Sequence, residues 1–278
     1  MTREIVVGYD GSPGSEQALR WAIREASDRG TSLTACLAWA RDPLAPQDET
    51  AADQRAAALL ANGLRYAVAR LGPGRVRHDV VHGPAVKVLC DCSAAAEMVV
   101  VSSVGRGEPP GAPIGSVAWR LACSSQVPVV VVRGPWRPPN SPPGPVVIGV
   151  DGSAACRAAV PFAFEEAALR AVPLLAVCAT ADAIGTLGGV RQLEESFDAV
   201  MTEQEKEHPD VTAVRQVSPG PPRTVLLTAA AGAQLIVVGN RGRGGLPGMS
   251  LGSVAHAVLL HAACPVAVVR PGGGAASG

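Results

Sequence analysis

Short apolar runs alternate along the chain with longer stretches in which apolar residues return every three or four positions. Ile5–Tyr9, Leu33–Trp39, Met98–Ser102 and Val129–Val132 are rich in Val, Ile and Leu, the pattern of strands buried on both faces. Val76–Val81 supplies the remaining strand. The segments 15–28, 51–71, 85–96 and 116–124 carry helical spacing; in the first, Ala18, Trp21, Ala22, Glu25 and Ala26 share one face. Strand and helix alternate from end to end of this segment. That order predicts a parallel sheet sandwiched by helices.

The pattern then repeats. Ile5-Val6-Val7-Gly8-Tyr9-Asp10-Gly11-Ser12 returns as Val146-Val147-Ile148-Gly149-Val150-Asp151-Gly152-Ser153, an offset of 141 residues. Gly105 to Ser116 returns as Gly242 to Ser253, and Val127-Pro128-Val129 as Cys264-Pro265-Val266, at an offset of 137. The second copy is therefore four residues shorter, with the loss between its first and third strands. A repeat of this length is a duplicated domain: residues 1–134 form one, residues 145–272 the other. Residues 135–144 are a Pro-rich, stiff spacer, and residues 273–278 a Gly/Ala/Ser tail expected to be disordered. Pro161 falls inside the second copy of the first helix and is expected to bend it or restart it near Val160.

Candidate chemistry gathers at the C-terminal strand ends, where doubly wound sheets bind ligands. Asp10 and Asp151 end the first strands of the two copies, each followed by Gly-Ser. After the fourth strand of the second copy comes Gly239-Asn240-Arg241-Gly242, then nine residues, then Gly252-Ser253 opening a helix. Glycines let successive N–H groups converge on an anion, and a helix N-terminus favours phosphate. Arg241 and Arg243 can add charge-assisted contacts. Plainer readings stand beside these: the aspartates as turn stabilisers, Ser116 and Ser253 as N-caps, the arginines as a solvated loop face. The first copy departs from the pattern. It has Ser102 for Gly239, Val104 for Arg241, and Glu108, Pro109 and Pro113 for Gly245, Leu246 and Ser250. Each proline deletes a backbone donor, and Glu108 brings a carboxylate towards the phosphates. The N-terminal loop is expected to be the weaker cradle.

Gly-x2-Gly-x9-Gly-Ser, preceded by a first-strand Asp-Gly-Ser, resembles the ATP-binding subclass of the universal stress protein family. The two halves together resemble a tandem member, over nearly the whole chain outside the spacer and tail. The resemblance implies an α/β fold of two tandem five-stranded parallel sheets sandwiched by helices, Rossmann-like and adenine nucleotide alpha hydrolase-like. It implies ATP, with Mg2+, held over the sheet, modules paired through their last strands, and a role in stress, dormancy or growth regulation with slow or absent hydrolysis. Carried over, Asp151 lies near the adenine or ribose and Ala179 lines the adenine pocket. Gly239, Gly242, Gly252 and Ser253 hold ribose and phosphates. The first-half counterparts are Asp10, Ala38, Gly105, Gly115 and Ser116.

Composition narrows the options further. At 278 residues and 47% hydrophobic the chain is long and apolar enough for two cored domains. With 24 basic and 24 acidic residues it has no net charge, so no basic surface points to nucleic acid or an anionic membrane. Neither a signal peptide nor a transmembrane run is apparent, and a cytoplasmic protein is expected. Seven cysteines lack a disulfide framework. Cys90 and Cys92 look like a ligand pair, but positions two apart on a helix do not face each other, so no metal site is assigned. His256 and His261 stand where the first copy has Trp119 and Ser124, and are read as packing or surface positions. There is no P-loop or nucleophile elbow, and Asp-Gly-Ser stands where adenylating enzymes carry a Ser-Gly-Gly-rich loop. No catalytic residue is assigned, and at most a slow ATPase is expected, resting on the positioning of water and Mg2+. The last strands, Val129–Val132 and Val266–Val269, are expected to pair within the chain or in a homodimer, since open apolar edges aggregate. The rival reading is a nucleotide-independent scaffold that works through those edges.

Overall fold

Ile5, Val6 and Val7 are wholly buried, as are Val146, Val147 and Ile148, and around these two β-branched triplets the chain builds two similar units. A computed structural model describes residues 4–39, 49–109, 112–134, 143–180, 189–243 and 250–272. Most of the Pro-rich spacer, the tail, Gly245 and Leu246 lie outside the described residues. The chain divides between Val132 and Arg133.

The first unit runs β1 (Glu4–Gly8), α1 (Pro13–Asp28), β2 (Ser32–Trp39), α2 (Glu49–Leu71), β3 (Val76–His82), α3 (Ala85–Cys92), β4 (Met98–Ser102), α4 (Ser116–Ser124) and β5 (Val129–Val132). Its described strands are parallel, in the order β3-β2-β1-β4-β5. The second runs β6 (Val146–Gly149), α5 (Ala154–Arg170), β7 (Leu174–Ala179), α6 (Gly189–Glu207), β8 (Ala213–Ser218), α7 (Pro222–Ala229), β9 (Leu235–Gly239), α8 (Ser253–His261) and β10 (Val266–Val269). Its order is the same, β8-β7-β6-β9-β10, again parallel. In each unit the strand order reverses beside the first strand, between β1 and β4 and between β6 and β9. Doubly wound sheets open a ligand crevice at such a point.

Strand register locates the missing residues. Gly8 pairs with Cys36 and Gly149 with Val177, so the offset is still 141 at the second strands. Cys36 then pairs with Asp79, and Val177 with Gln216, where the third-strand offset is 137. Between them α2 has 23 residues and α6 has 19. The second copy has lost about one helical turn.

Each Asp-Gly-Ser becomes a helix start. Gly11 and Gly152 both sit at φ 74°, a left-handed turn open to glycine at little cost. Ser12 and Ser153 then cap α1 and α5, their Oγ atoms accepting from Ser15 and Cys156 N–H at 3.1 Å. Pro161 does not restart its helix: α5 runs unbroken from Ala154 to Arg170. The proline forfeits one bond, to the Arg157 carbonyl, while Ala159, Val160, Ala163 and Phe164 around it are fully buried and hold the helix in place. α3 ends at Cys92, short of Ala96, because the Ala96 N–H turns back onto the Ser93 carbonyl before β4 begins.

One polar feature of the core is duplicated. The Arg29 guanidinium meets Glu25 at 2.6 Å, and Arg170 meets Glu166 at 2.5 Å, with both glutamates buried. Among the described residues no helix is long and apolar enough to cross a membrane.

Candidate functional site

The aspartates that follow β1 and β6 tie the crevice together. One oxygen of each closes its own turn: Asp10 Oδ1 accepts from Ser12 N–H, and Asp151 Oδ1 from Ser153 N–H, both at 2.9 Å. The other reaches the loop after the fourth strand, where Asp10 Oδ2 accepts from Arg106 N–H at 2.6 Å and Asp151 Oδ2 from Arg243 N–H at 3.1 Å. The approach requires a glycine. A Cβ on Gly105 would lie 2.7 Å from Asp10 Oδ2, and one on Gly242 would lie 2.6 Å from Asp151 Oδ2. Burial pushes the Asp10 carboxyl up. The Arg106 N–H, the Ser12 hydroxyl and N–H, and the Ser15 hydroxyl outweigh that and hold it below the usual carboxylate range. The aspartates are thus turn stabilisers and, beyond what the sequence suggested, tethers between first strand and loop.

Gly239 has a packing reason of its own. A Cβ there would fall 2.8 Å from the Ala155 carbonyl carbon and 2.9 Å from Ala155 Cβ. In the first unit the glycine is on the other side of the same contact: a Cβ on Gly14 would lie 2.5 Å from the Val104 carbonyl oxygen and 3.1 Å from Ser102 Cβ. Ser102 therefore replaces Gly239 at no steric cost, because Gly14 replaces Ala155. The hydroxyls compensate as well. Ser102 Oγ donates to the Val104 carbonyl at 2.9 Å, and Ser153 Oγ donates to the equivalent carbonyl, that of Arg241, at 3.2 Å.

The loops end alike. Gly115 N–H donates to the Ser103 carbonyl at 2.6 Å, and Gly252 N–H to the Asn240 carbonyl at 2.8 Å. These buried glycines are the N-caps of α4 and α8 and have no side chain of their own to cap with. Ser116 and Ser253 are the first helical residues and are exposed; they are not the N-caps the sequence suggested. In the second unit this leaves first-turn N–H groups without a capping side chain among the described residues. Arg241 Nε is also buried with no hydrogen-bond partner among the described residues. Arg243 is exposed, with its backbone held by Asp151. Ala38, next to last in β2, and Ala179, the last residue of β7, lie one strand away, both half-buried.

Two thiols near this crevice were not singled out in the sequence as part of it. Cys156 lies in the first turn of α5 and Cys178 on β7. Burial pushes each up to about 11, so both are neutral thiols near pH 7 and poor nucleophiles. All seven cysteines are free. Cys90 and Cys92 do not act as a pair: the Cys90 thiol lies 3.8 Å from Ser124 Oγ, whereas that of Cys92 lies 3.5 Å from Cys36 Sγ. Among the described residues no group of three His, Cys, Asp or Glu side chains is placed to hold a metal ion.

Both units match the model of the Universal stress protein family, over residues 1–133 and 144–270. Universal stress protein Rv2623 of Mycobacterium tuberculosis (strain ATCC 25618 / H37Rv) is 34% identical over 284 residues, covering 96% of each chain. Universal stress protein Rv1996 of the same strain is 34% identical over 300 residues, covering 96% of this chain and 94% of its own. The crystal structure of a universal stress protein from Archaeoglobus fulgidus DSM 4304 shares the fold at 17% identity, with a TM-score of 0.71 over 98% of this chain and 100% of that one.

Proposed function

The chain belongs to the universal stress protein family as two tandem copies of its domain, and from that premise we propose that its second unit binds ATP and that the protein is a cytoplasmic, nucleotide-dependent regulator of stress, dormancy or growth. The observation that carries this reading is the buried Nε of Arg241, without a hydrogen-bond partner among the described residues, beside the start of α8, whose N-cap Gly252 offers no side-chain bond. A buried guanidinium nitrogen without an acceptor is costly unless an anion completes it. The exposed N–H groups of a helix start favour the same charge.

The residues present fit a nucleoside triphosphate. Gly242 and Gly252 keep the loop backbone bare, and Arg241, Arg243 and Ser253 supply donors for phosphate oxygens. Each Asp151 oxygen accepts one backbone N–H and retains a lone pair for a ribose hydroxyl. Ala179 leaves a small apolar surface for the base. Mg2+ would come on the phosphates as part of the ligand. No side chain here is assigned as a general base, so hydrolysis is slow and binding, not turnover, is the output. Pairing through the last strands, β5 and β10, in a homodimer or between the halves is the assembly mode we propose with it.

Isothermal titration of the full chain with Mg-ATP tests the reading. Saturable binding is expected, with a rise in stability of about 2.7 kcal/mol at a hundredfold excess over Kd. No heat of binding and no thermal shift at millimolar ATP would leave the nucleotide-independent scaffold as the better account.

A further inference from the structure

The first unit carries its own anion where the second has glycine. Glu108, the counterpart of Gly245, turns back onto the start of α4: its Oε1 accepts from the Ser116 N–H at 2.8 Å and from the Ser116 hydroxyl at 3.0 Å. The contact closes over the capping glycine, since a Cβ on Gly115 would fall 3.3 Å from both Glu108 Cγ and Glu108 Oε1. These two bonds from Ser116 hold the Glu108 carboxyl below the usual carboxylate range, so it is ionised near neutral pH. A carboxylate is stabilised at a helix N-terminus by the same N–H groups that would hold phosphate.

The rest of the loop agrees. The first unit sets two carboxylates, Asp10 and Glu108, against one arginine, Arg106. The second sets one carboxylate, Asp151, against two arginines, Arg241 and Arg243. Over these residues alone the formal charge is −1 in the first unit and +1 in the second. A triphosphate entering the first would have to expel Glu108 from Ser116 and then lie beside it, with like charges a few ångströms apart. It would also find Val104 in place of Arg241.

We infer that Glu108 is a specificity-determining residue that closes the first unit's crevice to polyphosphates, so that the tandem chain holds one ATP, in its second unit. The inference rests on the nucleotide reading of the second unit. It gives the two copies different work: one is a nucleotide site, and the other is a copy of that site whose helix start is occupied by an internal carboxylate.

Equilibrium dialysis of Mg-ATP against the full chain, comparing wild type with Glu108→Ala and Glu108→Gln, tests it. Circular dichroism and the thermal midpoint should confirm that both variants fold, since the side chain lies in a loop. One ATP per wild-type chain is expected, with a second, weaker one in Glu108→Ala, weaker because Val104 stands where the second unit has Arg241, and weaker still in Glu108→Gln because its amide oxygen still accepts from Ser116. Two sites in the wild type, or one in both wild type and Glu108→Ala, would overturn the inference and leave the second-unit reading standing. No binding to the wild type with one site in Glu108→Ala would support Glu108 as the closing group while removing the second-unit reading. No binding in any form would sink both.

Discussion

Asp151 and Gly242 approach so closely that one added methyl on the glycine would lie 2.6 Å from a carboxylate oxygen. They are brought together because β6 and β9 are neighbours at the point where the strand order reverses. The carboxylate then fixes the loop by accepting the Arg243 N–H. The first unit repeats the arrangement with Asp10, Gly105 and Arg106. Duplication has therefore preserved the scaffold of the crevice, whereas loop residues around it have diverged, Val104 against Arg241 and Glu108 against Gly245.

Removing the tether should separate the two units. Asp151→Ala frees two backbone N–H groups and is expected to weaken ATP binding at least about tenfold, or roughly 1.4 kcal/mol. Asp10→Ala should leave ATP affinity unchanged. Titration calorimetry on both variants checks the contrast.

The Asp10 tether should also register in acid. Its carboxyl is held low in the folded state, so its contribution is fully present above the unfolded value of about 3.9 and is lost as pH falls through the folded value. Asp10→Asn lacks that contribution at every pH. The stability gap between wild type and variant, measured by urea unfolding, should be widest near neutrality and shrink below about pH 4.

Gly239→Ala should drive a methyl into Ala155 and destabilise by about 1–3 kcal/mol. Ala155→Gly in the same chain removes the Ala155 Cβ, 2.9 Å from the added methyl, and gives the Gly14 and Ser102 combination; it should recover part of the loss. A double-mutant cycle by urea unfolding measures the coupling; additive losses would mean that the two residues do not share the contact.

Glu166→Gln removes the charge facing Arg170 in the core. Because Glu166 is fully buried and Arg170 only 11% exposed, a loss of about 3 kcal/mol is expected, towards the lower end for a broken buried pair. Chemical denaturation provides the number, and the fold should otherwise persist.

Thiol reactivity should follow burial. Cys90, Cys92 and Cys123 are half-buried, whereas Cys36, Cys156, Cys178 and Cys264 are buried. Iodoacetamide near pH 8 should label the first three sooner. Cys156 and Cys178, pushed up to about 11, should react faster as pH rises towards that value. Peptide mapping by mass spectrometry resolves the order.

The repeat and the sheet were legible because β-branched runs such as Ile5-Val6-Val7 and Val146-Val147-Ile148 declare buried parallel strands wherever they recur. Placing the four-residue loss in α6 required strand register, since a helix can drop a turn without disturbing its flanking strands. The packing reason for Gly239 was not legible, because a glycine spared for packing and one spared for a ligand look identical in sequence; the exchange with Gly14 across the helix contact reveals the packing part. Ser116 and Ser253 read as caps because serine prefers that position, yet the preceding glycine takes it once its N–H closes the loop. Pro161 shows the reverse, a local preference overridden by buried neighbours. Glu108 was visible as a departure from the repeat, but its partner, Ser116, became visible only when the loop folded back.

Native mass spectrometry of the full chain with Mg-ATP, alongside Arg241→Ala, tests the central claim most directly. One ATP on each wild-type chain, lost or much reduced in Arg241→Ala while the protein stays folded, is the expected result. A wild-type chain that remains free of nucleotide at saturating ATP, or an Arg241→Ala chain that binds as well as wild type, would contradict it.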